Sequence, residues 1–415
     1  MNIFSQYQGL RKENYVLFLG RIVTNLGSMV WPVLTLILTR KMGMSATEAA
    51  MVMLLSGVIL MPAGLIGGKL ADKHNKKFCI INCDVISVVA YIITAFIPLG
   101  VPTIILVVIA AACQSMEHPA YNALIADITH TKDRERAYSL QYLGSNIGLV
   151  ASPVLAGILF ENYLWLAFLI SGVAIGCSTV LIYFLVKDIT PVEEQGEEQI
   201  YQKHEKGDSL WKVLAKNKIV LFYIVIMGLY HGAYLQYGYL MPLDMVRFHG
   251  DKGAVIYGSV SSLNCIVVVL CTPIFTKILR KVSLTQKNLA GNVMVMLGYL
   301  VFLLMIGKLP FYYIAIVLFT FGEILTTISN GPYLAARVPA SHRGRVNGVM
   351  TVVQSIMQGV FLLSIGPLYD HISPTAAWIF VLAVLTAAIV GSVLLIFLDK
   401  KFYRFMYKDE AEADV

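Results

Sequence analysis

Gly67-Gly68-Lys69-Leu70-Ala71-Asp72-Lys73-His74-Asn75-Lys76-Lys77 is a short polar stretch set between two apolar runs of roughly twenty residues each. So short a link between runs long enough to cross a bilayer is a hairpin at a membrane surface. Four lysines and one aspartate crowd its eleven positions, and lysines in short loops hold such loops on the cytoplasmic side. Gly68 and Ala71 let the chain turn and let two helix ends approach each other.

The rest of the chain fits that hairpin. Of 415 residues, 57% are hydrophobic and 14% charged, where a soluble chain carries about 25% charged residues. The mean hydropathy is +0.71. A net charge of +7 arises from basic residues scattered singly among loops, which argues against nucleic acid as a partner. Cys79, Cys83, Cys113, Cys177, Cys265 and Cys271 all fall in apolar runs, with no Cys-x-x-Cys and no histidine spacing suited to zinc. They read as small buried apolar residues, and neither a metal nor a cofactor is expected. The polar start of the chain, Met1 to Asn14, has no cleavable apolar core, so no signal peptide is expected to be removed.

Twelve apolar stretches have helix length: 14–39, 46–67, 78–97, 103–126, 138–160, 164–186, 218–243, 253–276, 288–306, 310–336, 346–369 and 374–398. Spans one, seven and ten are long enough to tilt or bend. With the N-terminus in the cytoplasm, 26 of the 32 lysines and arginines fall in cytoplasmic segments; Arg40, Lys41, Arg247, Lys252 and Lys308 lie outside, and Arg21 lies within span one. Both termini are therefore expected to be cytoplasmic. The longest polar stretch, 187–217, divides the spans six and six. It reads as a tether with a short amphipathic piece around Leu210–Leu214 on the membrane surface. The expected organisation is a first bundle over 1–186, a linker over 187–217 and a second bundle over 218–415.

The two halves echo each other. Pro119-Ala120-Tyr121 and Pro332-Tyr333 precede basic turns that follow spans four and ten. Such matches six helices apart suggest bundles related by a pseudo-twofold axis along the membrane normal.

The pattern Gly68-x-Leu70-Ala71-Asp72-Lys73-x-x-Lys76-Lys77, placed after a second span, resembles the loop 2–3 signature of the major facilitator superfamily. Asn75 stands where that family usually has glycine, and asparagine tolerates a left-handed turn. The resemblance implies an all-α membrane protein of twelve transmembrane helices in two pseudo-symmetric six-helix bundles. It also implies that spans 1, 4, 7 and 10 line a central cavity, and that a latch on the cytoplasmic side involves Gly68, Asp72, Lys73, Lys76, Asp127 and Arg134.

Those four spans carry the polar stripes. A charge at mid-bilayer costs about 2.5–3.5 kcal/mol on insertion scales, so each one needs a reason. Residues three or four apart share a helix face. Span one has Arg21, Asn25 and Ser28; span four has Gln114, Glu117 and Tyr121; span seven has Tyr230, Tyr234 and Tyr237 flanked by His231 and Gln236; span ten has Thr320, Glu323, Thr327 and Asn330. Each has a plain alternative. Glu323 pins helix packing or carries a proton or substrate, and the same choice holds for Glu117. Arg21 pairs with Asp84 of span three or contacts a ligand. The tyrosines are packing or a binding wall.

Gly322-Glu323-Ile324 resembles a Gly-Glu element of drug:proton antiporters in this superfamily. Gly144-x-x-x-Gly148-x-x-x-x-Pro153-x-x-x-Gly157 resembles their span-five signature, although Ser152 replaces the glycine before proline and Gln141 stands where some relatives carry an acid. The resemblance implies an alternating-access exporter of amphiphilic or cationic small molecules at the plasma membrane. It would be monomeric, with Glu323 and Glu117 exchanging protons; a symporter or facilitator for a specific metabolite is the alternative. No Gly-x-x-x-x-Gly-Lys-Ser/Thr loop is present to bind nucleotide, and no nucleophile motif points to an enzyme.

Overall fold

The computed structural model describes residues 7–129, 133–186, 214, 217–279, 281–338 and 343–403. Among the described residues, helices cover each of the twelve expected spans, those over 218–278 following one another almost without a break, and no strand occurs. The first crossing is broken into α1 (Lys12–Leu26) and α2 (Val30–Leu36), the latter prolonged by a π turn over Ile37–Lys41. Then come α3 (Ala46–Lys73), α4 (Lys76–Phe96), α5 (Val101–Asp127), α6 (Arg134–Phe160) and α7 (Leu164–Leu185). The seventh crossing is broken as well, into α8 (Lys218–Tyr234) and α9 (Leu240–His249), joined by a 3-10 turn over Leu235–Gly238. It is followed by α10 (Gly253–Ile278), α11 (Leu284–Leu304), α12 (Leu309–Arg337), α13 (Arg343–Pro367) and α14 (Pro374–Phe402).

Polar side chains satisfy the carbonyls freed at the two breaks. In the first crossing, the Ser28 N–H turns to the Asn25 carbonyl and the Ser28 hydroxyl donates to the Thr24 carbonyl at 3.3 Å. In the seventh, Gln236 Nε2 donates to the Gly232 carbonyl at 2.9 Å, and the Tyr299 hydroxyl lies 2.9 and 3.0 Å from the carbonyls of Ala233 and Tyr234. Backbone groups left open inside a bilayer must find partners within the protein.

The hairpin that opens the sequence has its own capping chemistry. Asn75 does not take a left-handed conformation; its φ is −61° and its side chain caps α4, accepting from the N–H of Lys77 at 2.9 Å and of Phe78 at 3.4 Å. An asparagine N-cap does here what a turn glycine does by freedom alone. The glycine that brings helices together is Gly67 rather than Gly68. A Cβ on Gly67 would lie 2.1 Å from the Met116 carbonyl of α5, whereas one on Gly68 would meet nothing nearer than 4.0 Å. At its other end α3 starts in a capping box, Ser45 Oγ accepting from the Glu48 N–H while the Ser45 N–H donates to Glu48.

The described chain groups into two compact units, Met1–Gly196 with Gly238–Val269, and Glu197–Tyr237 with Leu270–Val415. This border differs from a division by chain order at the linker. Residues 238–269 follow the linker yet pack with the first unit. The Thr35 hydroxyl donates to the Gly238 carbonyl at 3.0 Å, Tyr239 bonds to the Ala46 carbonyl, and Arg40 pairs with Asp251 at 3.3 Å. Gly258 of α10 lies so close to α6 that a Cβ there would sit 2.2 Å from the Pro153 carbonyl. In the first unit α1 packs on α6 and α7, and α4 on α5 and α7; in the second α11 packs on α12, and α8 on α13 and α14.

Large apolar side chains point outward along these helices. Phe96, Phe184, Ile278, Leu304 and Phe397 are among many that are exposed, which in this chain is the surface a bilayer covers. Cys177 lies on that outer surface, while Cys83, Cys113 and Cys265 are buried; all six cysteines are free.

Candidate functional site

In the second unit, α8, α12 and α13 enclose a cavity of about 190 Å³ lined by Met227, Tyr230, His231, Tyr234, Glu323, Thr326, Thr327, Asn330 and Gln354. Glu323 projects from the middle of α12, and the Tyr234 hydroxyl donates to its Oε1 at 3.0 Å. Stacked rings form one wall: Tyr230 on Tyr234 at 5.9 Å between centroids, and Tyr234 on Phe319 at 5.2 Å. Asn330 accepts from the buried Tyr223 hydroxyl at 2.9 Å. The cavity thus offers one carboxylate, aromatic faces, and hydroxyl and amide groups on its walls. Such a surface suits a ligand that is part apolar and part cationic.

Six of the residues named from sequence meet there: Tyr230, His231, Tyr234, Glu323, Thr327 and Asn330. Tyr237 lies outside the cavity, stacked on Phe319 at 5.2 Å. Gln236 is buried in the turn whose carbonyl it caps. Thr320 is buried too, its hydroxyl closing on the Ile316 carbonyl at 2.6 Å. Thr326, one residue off the sequence stripe, takes a place in the wall with its hydroxyl 2.9 Å from that of Tyr230. Gln354 of α13 gave no sequence signal, because no stripe accompanies it.

A second polar cluster lies in the first unit. Arg21 lays its guanidinium over the Tyr121 ring, 3.8 Å from the centroid, and the Tyr121 hydroxyl donates to the Leu17 carbonyl at 2.7 Å. Glu117 and Asp84 are both buried. Asp84 stands on α4 and Glu117 on α5, helices that pack along their length and are joined where the Ser87 hydroxyl donates to the Ala110 carbonyl at 3.1 Å, and Arg21 meets α5 at Tyr121, one turn on from Glu117. Asp84 accepts from the Thr179 hydroxyl of α7 at 2.8 Å rather than forming a close ion pair with Arg21. Asn25 and Gln114 are half-buried in the same unit. Gln141 is buried, its amide donating to the Asn14 carbonyl at 3.0 Å and so tying α6 to the first turn of α1.

The second unit also holds a buried ion pair that sequence reading missed. Arg337 at the end of α12 grips Asp399 at the end of α14 with Nε and Nη2, the former at 2.7 Å, and Tyr333 donates to the same carboxylate at 3.0 Å. Arg337 also stacks over Tyr333, 4.0 Å from its centroid. In the sequence, Asp399 stands beside Lys400 and Lys401 and looks like part of an ordinary charged flank.

In the lysine-rich hairpin, Lys76 pairs with Asp127 at the end of α5. Gly68 is half-buried. The side chains of Asp72, Lys73 and Arg134 lie outside the described residues, as do 187–213 and 215–216 of the linker and the basic turn at 339–342.

Twelve membrane crossings, paired breaks in crossings one and seven, and a carboxylate-bearing cavity between helices are the features of a secondary transporter. The family model of the Major Facilitator Superfamily matches residues 17–362, and the chain belongs to that superfamily. It is similar to a Na(+), Li(+), K(+)/H(+) antiporter of Planococcus maritimus, at 22% identity over 380 residues, covering 84% of this chain and 86% of the relative. It is likewise similar to the multidrug resistance protein MdtH of Yersinia pestis, at 22% identity over 357 residues and 84% of each chain. Among solved structures, a peptide transporter POT in complex with sulfate superposes with a TM-score of 0.78 at 15% identity, covering 95% of each chain. The protein is a transporter of this superfamily that crosses the membrane many times.

Proposed function

We propose that the protein exports amphiphilic or cationic small molecules in exchange for protons by alternating access. The observation that carries this reading is Glu323, held by Tyr234 in a cavity walled by Tyr230, His231 and Met227. A cation and a proton compete for one carboxylate there. Substrate binds while Glu323 is charged; a proton neutralises it, releases the cation and lets the empty carrier return. Coupling needs no more than this exclusivity, because a ligand shifts a conformational equilibrium only by its differential affinity. The names of the two relatives, a cation/proton antiporter and a multidrug resistance protein, support this substrate class.

Glu117 would exchange protons as well, and Arg21, Asn25, Gln114, Tyr121, Tyr230, Tyr234, Thr327 and Asn330 would contact substrate. Lys76 and Asp127, with Gly68, Asp72, Lys73 and Arg134, would latch the halves on the cytoplasmic side. This reading places a monomer in the plasma membrane with both termini in the cytoplasm.

Everted vesicles given a lipophilic cationic dye and an imposed pH gradient test the proposal. Wild type should concentrate the dye, and Glu323→Gln should lose uphill transport while still binding dye. Wild-type accumulation by Glu323→Gln at equal expression would sink the reading.

A further inference from the structure

The cluster in the first unit holds more negative charge than its one cation balances. Arg21 contributes one positive charge, and Asp84 and Glu117 contribute two negative charges when both are ionised. Asp84 is 5% exposed and Glu117 7% exposed. Asp84 has the Thr179 hydroxyl as partner. Among the described residues, no hydrogen bond or close ion pair reaches the Glu117 carboxylate. The Tyr121 hydroxyl, on the same helix, is turned to the Leu17 carbonyl, and that of Ser115 to the Leu60 carbonyl. The other titratable groups near the pair are the thiols of Cys83 and Cys113, which carry no positive charge, and His118, which is exposed and bonded to Asn122 at 3.2 Å. Among the described residues, no ionisable group of α3, α6 or α7 acts on either carboxylate.

A buried net negative charge in a bilayer is costly, and a buried carboxylate without a partner more so. One added positive charge brings the cluster to neutrality. A proton fits best, because it needs no shell of oxygen ligands and Thr179 supplies only one hydroxyl near the pair.

We infer that Asp84 and Glu117 together form a second proton-binding station, which holds one proton shared between them against Arg21. This inference rests on reading Glu117 as a proton-exchanging group and adds Asp84 as its partner. Together with Glu323, the transporter then has one proton station in each unit.

The shared proton makes the two residues interdependent, and this can be measured without transport. Full-length protein in detergent, wild type and Glu323→Gln, is treated with an apolar carbodiimide, which modifies protonated carboxyls, and the labelled positions are mapped by peptide mass. The expected result is label at Asp84 or at Glu117 in different molecules, and never at both in one. In Asp84→Asn or Glu117→Gln, label at the remaining carboxylate should fall by an order of magnitude or to nothing, because one carboxylate against Arg21 is already balanced. Double labelling, undiminished labelling in the single variants, or no label at either residue in wild type would each overturn the inference. Protection by sodium, lithium or potassium chloride but not by choline chloride would also overturn it, by making the site one for an alkali cation. The wild-type pattern needs no variant to fold. A failure of Glu323 to couple transport would leave these labels unchanged, so the two readings fail separately.

Discussion

Two arginines, one in each unit, are housed in opposite ways, Arg337 buried and Arg21 half-buried. Arg337 is matched: Asp399 takes two of its nitrogens, and Tyr333 bonds the same carboxylate and stacks beneath the guanidinium. Arg21 is unmatched: it lies on the Tyr121 ring, while the two acids in its field go to Thr179 or to no described partner. A closed pair with fixed geometry holds helix ends together and has little to exchange. A cluster with a charge left over has something to bind. The difference separates structural charge from working charge: Arg21 stands alone inside an apolar run, whereas Arg337 stands at the edge of a basic turn.

The largest effect expected from breaking this contrast is at Asp399. Asp399→Asn leaves Arg337 buried without its counter-charge, and removing one partner of a buried pair costs about 3–5 kcal/mol. Thermal unfolding in detergent should show a large drop in midpoint. Glu117→Gln, by contrast, should leave the midpoint near wild type or above it. A double change to Arg337→Met and Asp399→Leu should recover most of the loss, because a well-packed apolar pair often replaces a buried ion pair without cost. If Asp399→Asn were harmless, the matched pair would not be structural, and the contrast would collapse.

The parts of this design that show in sequence are those set by local period. The apolar runs gave all twelve crossings, and the helices differ from them mainly by continuing into polar turns beyond the bilayer, as where α3 runs on to Lys73. The stripes marked spans 1, 4, 7 and 10 as facing one central cavity; five stripe residues, from spans seven and ten alone, line a cavity in the second unit. Partnerships across long separations do not show. Asp399 meets Arg337 from 62 residues away, and nothing beside it in sequence announces a partner. The break in span seven turned two expected site residues to other work: Gln236 caps a carbonyl, and Tyr237 stacks on Phe319. Polar residues in a membrane helix serve the backbone as readily as a ligand, and spacing alone does not distinguish the two. The packing of 238–269 with the first unit depends on the fit of Gly258 against Pro153, a steric fact without a sequence signature.

A smaller effect is expected at Arg21 itself. Arg21→Lys keeps the charge but loses the flat guanidinium that lies on Tyr121. Cation–π contacts are worth about 0.5–2 kcal/mol depending on burial, and lysine does not stack as arginine does. The unfolding midpoint should fall modestly, well short of the fall at Asp399. The carbodiimide pattern at Asp84 and Glu117 should survive, since the charge count is unchanged. A fall as large as that of Asp399→Asn would mean that Arg21 is structural after all.

The smallest stability effect is expected at the hairpin, between Lys76 and Asp127. Both side chains are about a quarter exposed, at 25% and 26%, so solvent screens their attraction. Pairs of this kind are typically worth about 0–1 kcal/mol. A double-mutant cycle with Lys76→Gln and Asp127→Asn, read by unfolding, should therefore give a coupling energy within that range. The same variants test the latch through its rate. A contact made in only one conformation shifts the balance between states even when it adds little to the stability of either. Dye transport by Lys76→Gln and by Asp127→Asn should slow by a common factor, and the double variant should be no slower than either single one, because one broken contact cannot be broken twice. Transport at the wild-type rate in all three would leave the hairpin with the task of orienting the chain and none in the cycle. Multiplicative slowing would assign the two residues to separate contacts and undo the pair as a unit.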